Sequence, residues 1–482
     1  MKKTWLFLAA GGVLGGFYAF QHLRAPACPS ANGHRKGERR PKVVVLGGGF
    51  GGLAAANTLG RQGGGLIDVL LVDKDNYHLF TPPIYQVAAC GVNPWDVVCP
   101  FRPLGDRNGF SFLDARVEGI DFAGRRVNIA NGKPIDYDYL IIALGSKTNY
   151  FHQADAEKYG SPLKTVEDAL NLRNRVLDAF EAASGEQDPD LRRELLSFVI
   201  VGGGATGVEL AGALHDLVYE VLAPEYRSLD LSQVRIVVVE ARDKLLDHMS
   251  ETLAWEAMRH LTSCGVEVML NAKVRRVQPD LVETEGGQTI RTRTVVWTAG
   301  VEANEVAAGL AVPKGKGDTL RVDKYLRVLG QPGVFAVGDN AFPEDPKTGE
   351  PVPMLASVAI QGGETAAKNA LRTIRGKPLI PFHYRHVADM VSLGRNSGVA
   401  EFDGKTVRGF AGWLLWRTVH LALLTGFRDK LGMALDWTFA YFYRRDTSRL
   451  NVEPVPMQAA KIAQMPSRAR LTGEGKRAAP AA

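Results

Sequence analysis

The chain has 482 residues, 45% of them hydrophobic, so it can hold two or three domains with cores of their own. Its net charge of +6 comes largely from basic residues near the two ends, beside apolar stretches; this favours an anionic membrane surface as a partner over nucleic acid, and no nucleic-acid-binding module is recognisable. The four cysteines, Cys28, Cys90, Cys99 and Cys264, form no CxxC pair and no metal-ligand cluster, which argues against a disulfide framework and a metal site.

The N-terminal stretch from Thr4 to Leu23, TWLFLAAGGVLGGFYAFQHL, carries no charge and is just long enough to cross a bilayer as a helix. Two lysines precede it and several basic residues follow it, so the charges favour the body of the protein on the cytoplasmic side. The sequence Ala-Pro-Ala at 25–27 resembles a signal-peptidase site, which leaves a cleaved signal as the alternative. We therefore predict a transmembrane anchor or signal over residues 1–24 and a linker over residues 25–41.

The motif around which the chain is organised follows at 42–56, KVVVLGGGFGGLAAA, where an apolar strand leads through glycines into a helix. Gly47 allows a tight turn, Gly49 lets the backbone approach a pyrophosphate, and Gly52 lets the helix pack on the strand. The pyrophosphate would lie against free amide groups at the positive end of the helix. A second strand ends at Asp73, where an acid binds an adenosine ribose hydroxyl. Together these features predict a dinucleotide-binding unit.

A second copy of this motif lies at 196–214, LSFVIVGGGATGVELAGAL. Gly202, Gly204 and Gly207 take the places of the first three glycines, and the strand VRIVVVE ends at Glu240. The segment between helix and strand, 219–233, is longer than a minimal unit and predicts an insertion. Two such units imply two bound nucleotides.

Three further strands end in small residues. The strand that leads into ALGS and its counterpart TVVWTAG at 294–300 each close a nucleotide unit and return the chain to the other one. The strand VFAVGDN at 334–340 is followed by Gly338 and Asp339. On the residues alone, an aspartate in this place is a cap or turn residue.

The order of these motifs, GGGFGGL, ALGS, GGGATGVE, TAG and AVGD, resembles that of the two-dinucleotide-binding flavoproteins. Within them the chain most closely resembles the type II NADH dehydrogenases, which are single-chain NADH:quinone oxidoreductases, from about Lys42 to Leu450. The resemblance implies an α/β fold with two Rossmann-like domains. It also implies non-covalent FAD in the first unit, with Asp339 contacting the ribityl chain, and NADH in the second.

The resemblance predicts a plan in which the NADH domain is inserted into the FAD domain and membrane-associated helices follow at the C-terminal end. The predicted parts are 42–160 for the first part of the FAD domain, 161–300 for the NAD(P)H domain, 301–408 for the second part of the FAD domain with the quinone-site region, 409–450 for membrane-binding helices and 451–482 for a disordered tail.

Two segments resemble the parts of the family that lie nearest the flavin ring and the quinone. HLFTPPIYQVAACG resembles the stretch beside the flavin ring. PMLASVAIQGGETAAKNA resembles the AQxAxQ motif of the quinone site, in which Gln361 matches the second glutamine and Ser357 replaces the first. The family's Lys-Gly pair is absent where Ala388 and Asp389 stand, so no role is carried over to that segment.

The block from Gly409 to Leu450 is rich in apolar and aromatic residues and resembles the family's bacterial membrane-binding region. The apolar residues of this block are interrupted by Arg417, His420 and Arg428. Read as one helix up to Gly426, it is too polar in the middle to span comfortably, which favours a helix lying in the membrane interface over a spanning one. A second helix is predicted over 430–443. The alternative is a hairpin buried in the core or in a dimer contact, and His420 is interpreted as a packed histidine.

Glu209 follows Gly207 on the first turn of the second glycine helix, so we expect it to face the nicotinamide and flavin. Its charge also suits the helix dipole, which is a sufficient structural explanation. The resemblance assigns such an acid a role in proton or charge transfer. Glu240 favours NADH over NADPH because a carboxylate repels a 2′-phosphate, although Arg242 could reach such a phosphate.

These features predict a membrane-associated, non-proton-pumping NADH:quinone oxidoreductase of a respiratory chain. Glu209 and Gln361 are its predicted catalytic residues, and its expected place is the cytoplasmic face of the inner membrane, as a monomer or homodimer. A sulfide:quinone oxidoreductase is the main alternative, although it needs late cysteines and none follows Cys264. A reductase for a soluble electron carrier and a membrane-tethered redox sensor are further alternatives. Cys90 and Cys99 lack the spacing of a disulfide reductase.

Overall fold

The computed structural model describes residues 39–345 and 349–449, and its first regular element is the strand Lys42–Leu46. The predicted N-terminal anchor or signal and the predicted tail at 451–482 lie outside the described residues. The described residues belong to one unit of the chain.

The first nucleotide unit is built on a parallel sheet whose strands are continuous apolar runs. Its central strand, Lys42–Leu46, has four fully buried residues because helices and loops cover both faces. In spatial order the five strands are Val334–Ala336, Tyr139–Ile142, Lys42–Leu46, Asp68–Asp73 and Ser111–Asp114. The last of these pairs in parallel with Asp68–Asp73 at the edge of the sheet.

Two long helices pack side by side on this sheet. Phe50–Gly63 is the crossover that follows the first glycine turn, and Ala356–Ile374 lies along it. A Cβ atom on Gly363 would lie 2.1 Å from the carbonyl oxygen of Gly51, so glycine at 363 is what permits this close approach. The two helices that cover this sheet thus come from parts of the chain about 300 residues apart.

The second nucleotide unit also has a five-stranded parallel sheet, and its order differs from the first only in the edge strand, which comes first in the unit instead of last. Its parallel strands are, in spatial order, Ser161–Pro162, Thr294–Trp297, Ser197–Val201, Arg235–Val239 and Glu267–Met269. Its crossover helix Ala205–Asp216 continues directly into a π-helical turn, Leu217–Leu222, and a 3-10 turn follows at Leu231–Gln233. The insertion predicted at 219–233 therefore extends the helix and adds a loop before the next strand.

Two short antiparallel strands join the units. The chain leaves the first unit through Ser146–Thr148 and returns through Val301–Ala303, and these strands pair with each other. The smaller sheets consist of short strands: Val117–Asp121, Arg126–Ile129 and Ile135–Asp136; Val274–Val277, Leu281–Thr284 and Thr289–Arg291; Tyr77–Leu79 and Val98–Pro100; Leu320–Arg321 and Ala341–Phe342.

The remaining α-helices among the described residues surround the two sheets. Val166–Gly185 begins with a capping box in which Thr165 accepts from the Asp168 N–H and Asp168 accepts from the Thr165 N–H. The others are Ile84–Ala88, Phe101–Asn108, Ala154–Tyr159, Pro189–Leu195, Glu251–Ser263 and Glu305–Gly309.

The C-terminal part begins with an antiparallel sheet, which we call the C-terminal sheet: Asp389–Gly394, Ser397–Phe402 and Lys405–Gly409. It packs on the crossover helix of the second unit, where a Cβ atom on Gly212 would lie 2.3 Å from the carbonyl oxygen of Leu393. Two helices follow, Phe410–Leu423 and Phe427–Phe442, which we call the helical hairpin. The predicted pair of helices is present, with a break at residues 424–426.

The helical hairpin has one buried and one exposed face. Trp416, Met433 and Trp437 belong to the same apolar core as Tyr85. On the other face, large apolar side chains are open to solvent: Phe410, Leu414, Phe427, Leu431, Leu435, Phe439 and Phe442. The inner face agrees with the alternative of a hairpin packed in the core, while membrane binding by the outer face stays a prediction. Within the described part of the chain no helix has the length and apolarity to cross a membrane, so a transmembrane helix is not supported there.

Candidate active site

The first glycine turn has the geometry that close contact with a phosphate group requires. Gly47 has a φ of +91°, and a Cβ atom there would lie 2.2 Å from the carbonyl oxygen of Ala143. A Cβ on Gly52 would lie 1.8 Å from the carbonyl oxygen of Gly47, so only glycine lets the helix start this close to the strand. Gly49, in contrast, faces open space and caps the helix without a side-chain hydrogen bond.

The second glycine turn repeats this geometry. Gly202 has a φ of +110°, and a Cβ on Gly207 would lie 2.0 Å from the carbonyl oxygen of Gly202. Gly204 faces open space and caps the next helix without a side-chain partner. An uncapped helix start presents free amide groups and the positive end of the helix dipole to that space. Both turns therefore fit an anionic group such as a pyrophosphate.

Each turn is fixed by the acid at the end of its second strand. The Gly48 N–H donates to Asp73 Oδ2 at 2.5 Å, and the Gly203 N–H donates to Glu240 Oε2 at 2.6 Å. Burial raises the pKa of Asp73, and backbone hydrogen bonds from Asp75 and Gly48 act in the opposite direction. Both predicted ribose-binding acids thus lie beside their glycine turns.

Arg242, which the sequence left open as a partner for a 2′-phosphate, is already paired. Its guanidinium forms an ion pair with the carboxylate of Asp247, and its backbone N–H donates to Glu240 Oε1 at 2.8 Å. A phosphate would have to compete with Asp247 for this cation. The geometry therefore favours a nucleotide without that phosphate.

Asp339 lies at the end of a half-buried polar chain that sequence reasoning missed. Ser146 Oγ donates to Asp339 Oδ2 at 2.6 Å, and Lys164 Nζ donates to Ser146 Oγ at 2.5 Å. Burial lowers the pKa of Lys164, while the charges of Asp339 and Asp168 act against this. Ser146 completes the ALGS motif, but nothing in the local sequence marks Lys164 apart from its place just before the capping box at Thr165.

The residue after Asp339 also fixes the site. Asn340 is completely buried; its Oδ1 accepts from the Gly145 N–H at 2.9 Å, and its Nδ2 donates to the carbonyl oxygen of Ile142 at 3.1 Å. The two strand ends that carry ALGS and AVGD are therefore tied together. This explains why Asp339 has a fixed position beside the first glycine turn.

Glu209 lies where the second unit meets the C-terminal sheet and the helical hairpin. It is 7% exposed, and the Ser392 N–H donates to its Oε1 at 3.1 Å. Burial raises its pKa from 4.5 to about 8, although hydrogen bonds from Ser392 and Trp416 oppose the shift. A carboxyl group with this pKa can hold a proton or release one near neutral pH.

The stretch that resembles the family's flavin-ring segment contacts the hairpin directly. Gln86 Nε2 donates to Tyr85 Oη at 2.9 Å, and Trp437 Nε1 donates to Gln86 Oε1 at 2.7 Å. The Tyr85 ring meets the Trp416 ring edge-on, with 6.0 Å between centroids. The two hairpin helices thus form one wall of the region around Glu209 and Tyr85.

Two histidines in this region are packed rather than free. His78 Nδ1 donates to the carbonyl oxygen of Gly48 at 2.9 Å, and His420 Nδ1 donates to that of Trp416 at 2.7 Å. The His420 ring also stacks on Trp416, with 3.9 Å between centroids. Burial lowers the pKa of His420 to about 4, so the ring is neutral near pH 7. This geometry agrees with the interpretation of His420 as a packed histidine.

Gln361 has both atoms of its amide engaged with the backbone. Its Oε1 accepts from the Arg385 N–H and its Nε2 donates to the Arg385 carbonyl oxygen, each at 3.0 Å. One turn earlier on the same helix, Ser357 Oγ lies 3.0 Å from Tyr384 Oη. The catalytic role of Gln361 stays a prediction, and in this structure it braces the segment that carries Tyr384.

The three cysteines in the described part of the chain offer no relay for electrons. Cys90, Cys99 and Cys264 are free. Burial raises the thiol pKa of Cys90 to about 11 and that of Cys99 to about 12, so both remain protonated and poorly nucleophilic. Within residues 39–345 and 349–449, no group of three or more acidic, histidine or cysteine side chains is placed to hold a metal ion.

Comparison with known proteins agrees with this geometry. Residues 41–363 match the family model of pyridine nucleotide-disulphide oxidoreductases. The chain is 32% identical to the type II NADH:quinone oxidoreductase Ndh of Mycobacterium tuberculosis over 459 residues, which covers 92% of this chain and 96% of the relative. It is 34% identical over 438 residues to NdhA of the same organism, another type II NADH:quinone oxidoreductase, with 86% and 89% covered.

Among solved structures, NDH2 from Plasmodium falciparum in complex with NADH superposes with a TM-score of 0.80 at 18% identity, covering 85% of this chain and all of that one. At this identity the likeness shows the fold alone. The relatives, the family model and the two glycine turns all indicate an oxidoreductase that binds two nucleotides. The chain belongs to the pyridine nucleotide-disulphide oxidoreductase family and, within it, to the type II NADH:quinone oxidoreductases.

Proposed function

We propose that this protein is a membrane-associated NADH:quinone oxidoreductase that does not pump protons. It takes hydride from NADH and delivers two electrons to a membrane quinone of a respiratory chain. The observation that carries the proposal is the pair of glycine turns, each with an uncapped helix start and open space over its middle glycine. Two nucleotides bound at these turns bring a hydride donor and an acceptor together.

The first turn would hold FAD without a covalent bond. Gly47, Gly49 and Gly52 would cradle its pyrophosphate, Asp73 its adenosine ribose and Asp339 its ribityl chain. FAD supplies the chemistry that the side chains lack, since it accepts a hydride and releases two electrons. The chain's own contribution is to hold this group between the two units and to keep water away with the apolar wall that includes Tyr85 and Trp416.

The second turn would hold NADH. Gly202, Gly204 and Gly207 would receive the pyrophosphate, and Glu240 would accept hydrogen bonds from the ribose hydroxyls. The buried position and raised pKa of Glu209 support a role as a proton carrier between the nucleotide and quinone sides. Gln361 would act near the quinone, either directly or by holding the segment around Arg385.

The exposed face of the hairpin supports binding to a lipid surface. Phe427, Phe439 and Phe442 are each more than half exposed and belong to the second helix of the hairpin, and Phe410 of the first helix is also more than half exposed. Aromatic side chains in such a position insert into the interface between lipid headgroups and acyl chains. The charge asymmetry around residues 4–23 supports the proposal that the body of the protein lies on the cytoplasmic side of the inner membrane. A homodimer is compatible with the arrangement.

A sulfide:quinone oxidoreductase is disfavoured because no cysteine follows Cys264 and the buried thiols stay protonated. A redox sensor would use the same nucleotide sites with slow turnover. Steady-state kinetics separate the two: purified full-length protein should oxidise NADH rapidly only when a short-chain quinone is present. Flavin reduction by NADH without turnover would contradict the proposal in favour of a sensor, and flavin reduction by sulfide would favour the alternative enzyme.

The same assay tests the choice of nucleotide. We expect NADH to be preferred over NADPH, and Asp247→Asn to narrow this preference several-fold because it frees Arg242 for a 2′-phosphate. The matched control is Asp243→Asn, an exposed residue of the same loop. An unchanged preference in Asp247→Asn would show that Arg242 does not reach the nucleotide.

A further inference from the structure

A row of polar side chains runs from the protein surface to the helix that carries the quinone-site motif. Ser357 Oγ lies 3.0 Å from Tyr384 Oη, and Tyr384 Oη lies 3.1 Å from His386 Nδ1. His386 Nε2 lies 3.4 Å from Asp389 Oδ2. Each neighbouring pair is within reach of a hydrogen bond or ion pair. We call Ser357, Tyr384, His386 and Asp389 the polar row.

The segment that carries the polar row is fixed on the helix Ala356–Ile374. Gln361 holds Arg385 through two backbone hydrogen bonds of 3.0 Å. Eight residues further along, Asn369 accepts from the Ile380 N–H at 2.8 Å and donates to the Ile380 carbonyl oxygen at 2.9 Å. The two amide side chains thus set the register of the segment, and Tyr384 is held against Ser357 as a result.

The two ends of the polar row lie in different surroundings. His386 is at the surface, with 49% of its side chain exposed. Ser357 stands in the first turn of its helix, which begins at Ala356, and Ala359 of that turn lies 3.6 Å from where a Cβ atom of Gly338 would be. Gly338 directly precedes Asp339, the predicted flavin contact. The row therefore links solvent to the neighbourhood of the flavin and quinone sites.

The proposed reaction needs such a link. NADH gives up a hydride, which is two electrons and one proton, and the quinone gains two electrons and two protons. The balanced reaction is NADH + H⁺ + quinone → NAD⁺ + quinol, so one proton in each turnover enters from the medium. A hydroxyl group can receive one proton while it gives up another, which makes a row of hydroxyls and an imidazole suitable to carry it.

We propose that Ser357, Tyr384 and His386 relay the proton from solvent to the quinone. This inference rests on the proposed function. His386 takes a proton from water and passes it through Nδ1 to Tyr384 Oη, which passes its own proton to Ser357 Oγ; Ser357 delivers one towards the acceptor. Ser357 stands where the family motif has glutamine, so the relay belongs to this chain's departure from the motif. Tyr384 and His386 act through Ser357 and are positioning residues.

The charged groups nearest His386 come from its own segment and from the C-terminal sheet. Asp389 faces its Nε2 at 3.4 Å. Glu401 lies opposite Asp389 on the neighbouring strand, and its Oε2 accepts from Ser250 Oγ at 2.7 Å. Burial raises the pKa of Asp389, the charge of Glu401 raises it further, and the charge of His386 lowers it. His383 and Arg385 are exposed neighbours on the same segment.

Two electron acceptors test the relay. Ferricyanide takes electrons without protons, whereas a quinone needs both. Tyr384→Phe and Ser357→Ala should lower the kcat for a short-chain quinone by roughly ten-fold or more, while ferricyanide reduction changes less than about two-fold. The matched control is His383→Asn on the same segment, which should leave both rates unchanged. Equal loss with both acceptors, or no loss with quinone, would overturn the relay.

A pH profile provides a second readout. His386→Asn removes the imidazole at the solvent end of the polar row, so it should lower the kcat for a short-chain quinone and change the shape of the pH profile of quinone reduction. The pH profile of ferricyanide reduction should stay that of the wild type. Identical profiles for wild type and His386→Asn would refute the inference. A wild-type protein that reduces no quinone would refute the proposed function itself.

Discussion

Glu209 illustrates how a single buried carboxyl group can serve both structure and reaction. It stands one turn into a helix whose start faces a nucleotide site, and its carboxyl group contacts Ser392 of the C-terminal sheet. The helix dipole favours its charged form, whereas burial favours the neutral form and raises the pKa to about 8. Burial dominates, so the group is largely protonated at neutral pH and can exchange a proton within the working range.

This pKa predicts a pH-dependent stability. The folded state holds a proton that an unfolded chain, with a pKa near 4.5, releases. The stabilisation is therefore complete below pH 4.5 and is lost as pH rises towards and through 8. Glu209→Gln is neutral at every pH, so its free energy of unfolding, and with it its melting temperature, should rise relative to the wild type between pH 5 and pH 8.5. The change in the difference between the two free energies of unfolding should reach a few kcal/mol, at ~1.4 kcal/mol for each pKa unit.

Thermal unfolding of both proteins at several pH values measures this. Glu157→Gln, on an exposed helix position, is the matched control and should follow the wild type. A constant difference between wild type and Glu209→Gln across the range would show that the carboxyl group is not held in its neutral form.

At the scale of elements, the glycines of the two turns divide into those that packing requires and those that ligand binding requires. In each turn the first and third glycines contact backbone so closely that a Cβ atom has no room, while the middle glycine faces open space. The first and third positions are therefore required by the fold. The middle position, Gly49 or Gly204, is required only by what occupies the space above it.

Two alanine substitutions in the second turn should accordingly behave differently. Gly207→Ala places a Cβ atom against Gly202 and should destabilise the protein by about 1–3 kcal/mol. Gly204 has a φ of −71°, which alanine adopts readily, so Gly204→Ala should keep the melting temperature within about 2 °C. It should nevertheless raise the KM for NADH about ten-fold, because its methyl group takes the place of the pyrophosphate.

Flavin content should be unaffected in Gly204→Ala, since the change lies in the second unit. A normal KM in this variant would mean that the pyrophosphate lies elsewhere. Circular dichroism melting and steady-state kinetics on the same preparation distinguish the two outcomes.

At the scale of the whole molecule, the helical hairpin connects the region around Glu209 and Tyr85 to the exposed apolar surface. Its inner face contacts Gln86 through Trp437, and its C-terminal end is tied back to the helix Val166–Gly185. Arg173 of that helix, which is 4% exposed, donates to the carbonyl oxygens of Asp446 and Ser448 at 2.9 and 2.8 Å. The hairpin is therefore held along its inner face and just after its C-terminal end.

The exposed face predicts lipid binding that can be removed without unfolding the protein. Replacing Phe439 and Phe442 by serine should greatly reduce co-sedimentation with vesicles containing anionic lipid, since each aromatic ring contributes interfacial burial. Ferricyanide reduction and the melting temperature should stay close to the wild-type values. Trp255→Ser, an exposed aromatic residue on another helix, is the matched control. Unchanged sedimentation of the double variant would place the lipid contact elsewhere.

The fold and the nucleotide sites could be predicted because their signals are local. The first strand, the glycine turn, the helix and the second strand follow one another directly in the chain. The spacing of Gly47, Gly52 and Asp73 therefore reveals them. The partners of Glu209 and Gln86 could not be found in this way, because Ser392 lies 183 positions from Glu209 and Trp437 lies 351 positions from Gln86. Such contacts arise only when the C-terminal sheet and hairpin pack against the nucleotide units.

The two faces of the hairpin differ in what a change there would do to the rest of the molecule. Cutting the chain at Gly409 would remove Trp416, Met433 and Trp437 from the main core and expose Tyr85 to water. Exchanging the outward rings for polar residues would leave that core intact. The proposed lipid contact would therefore be removed by substitution of surface residues and not by truncation.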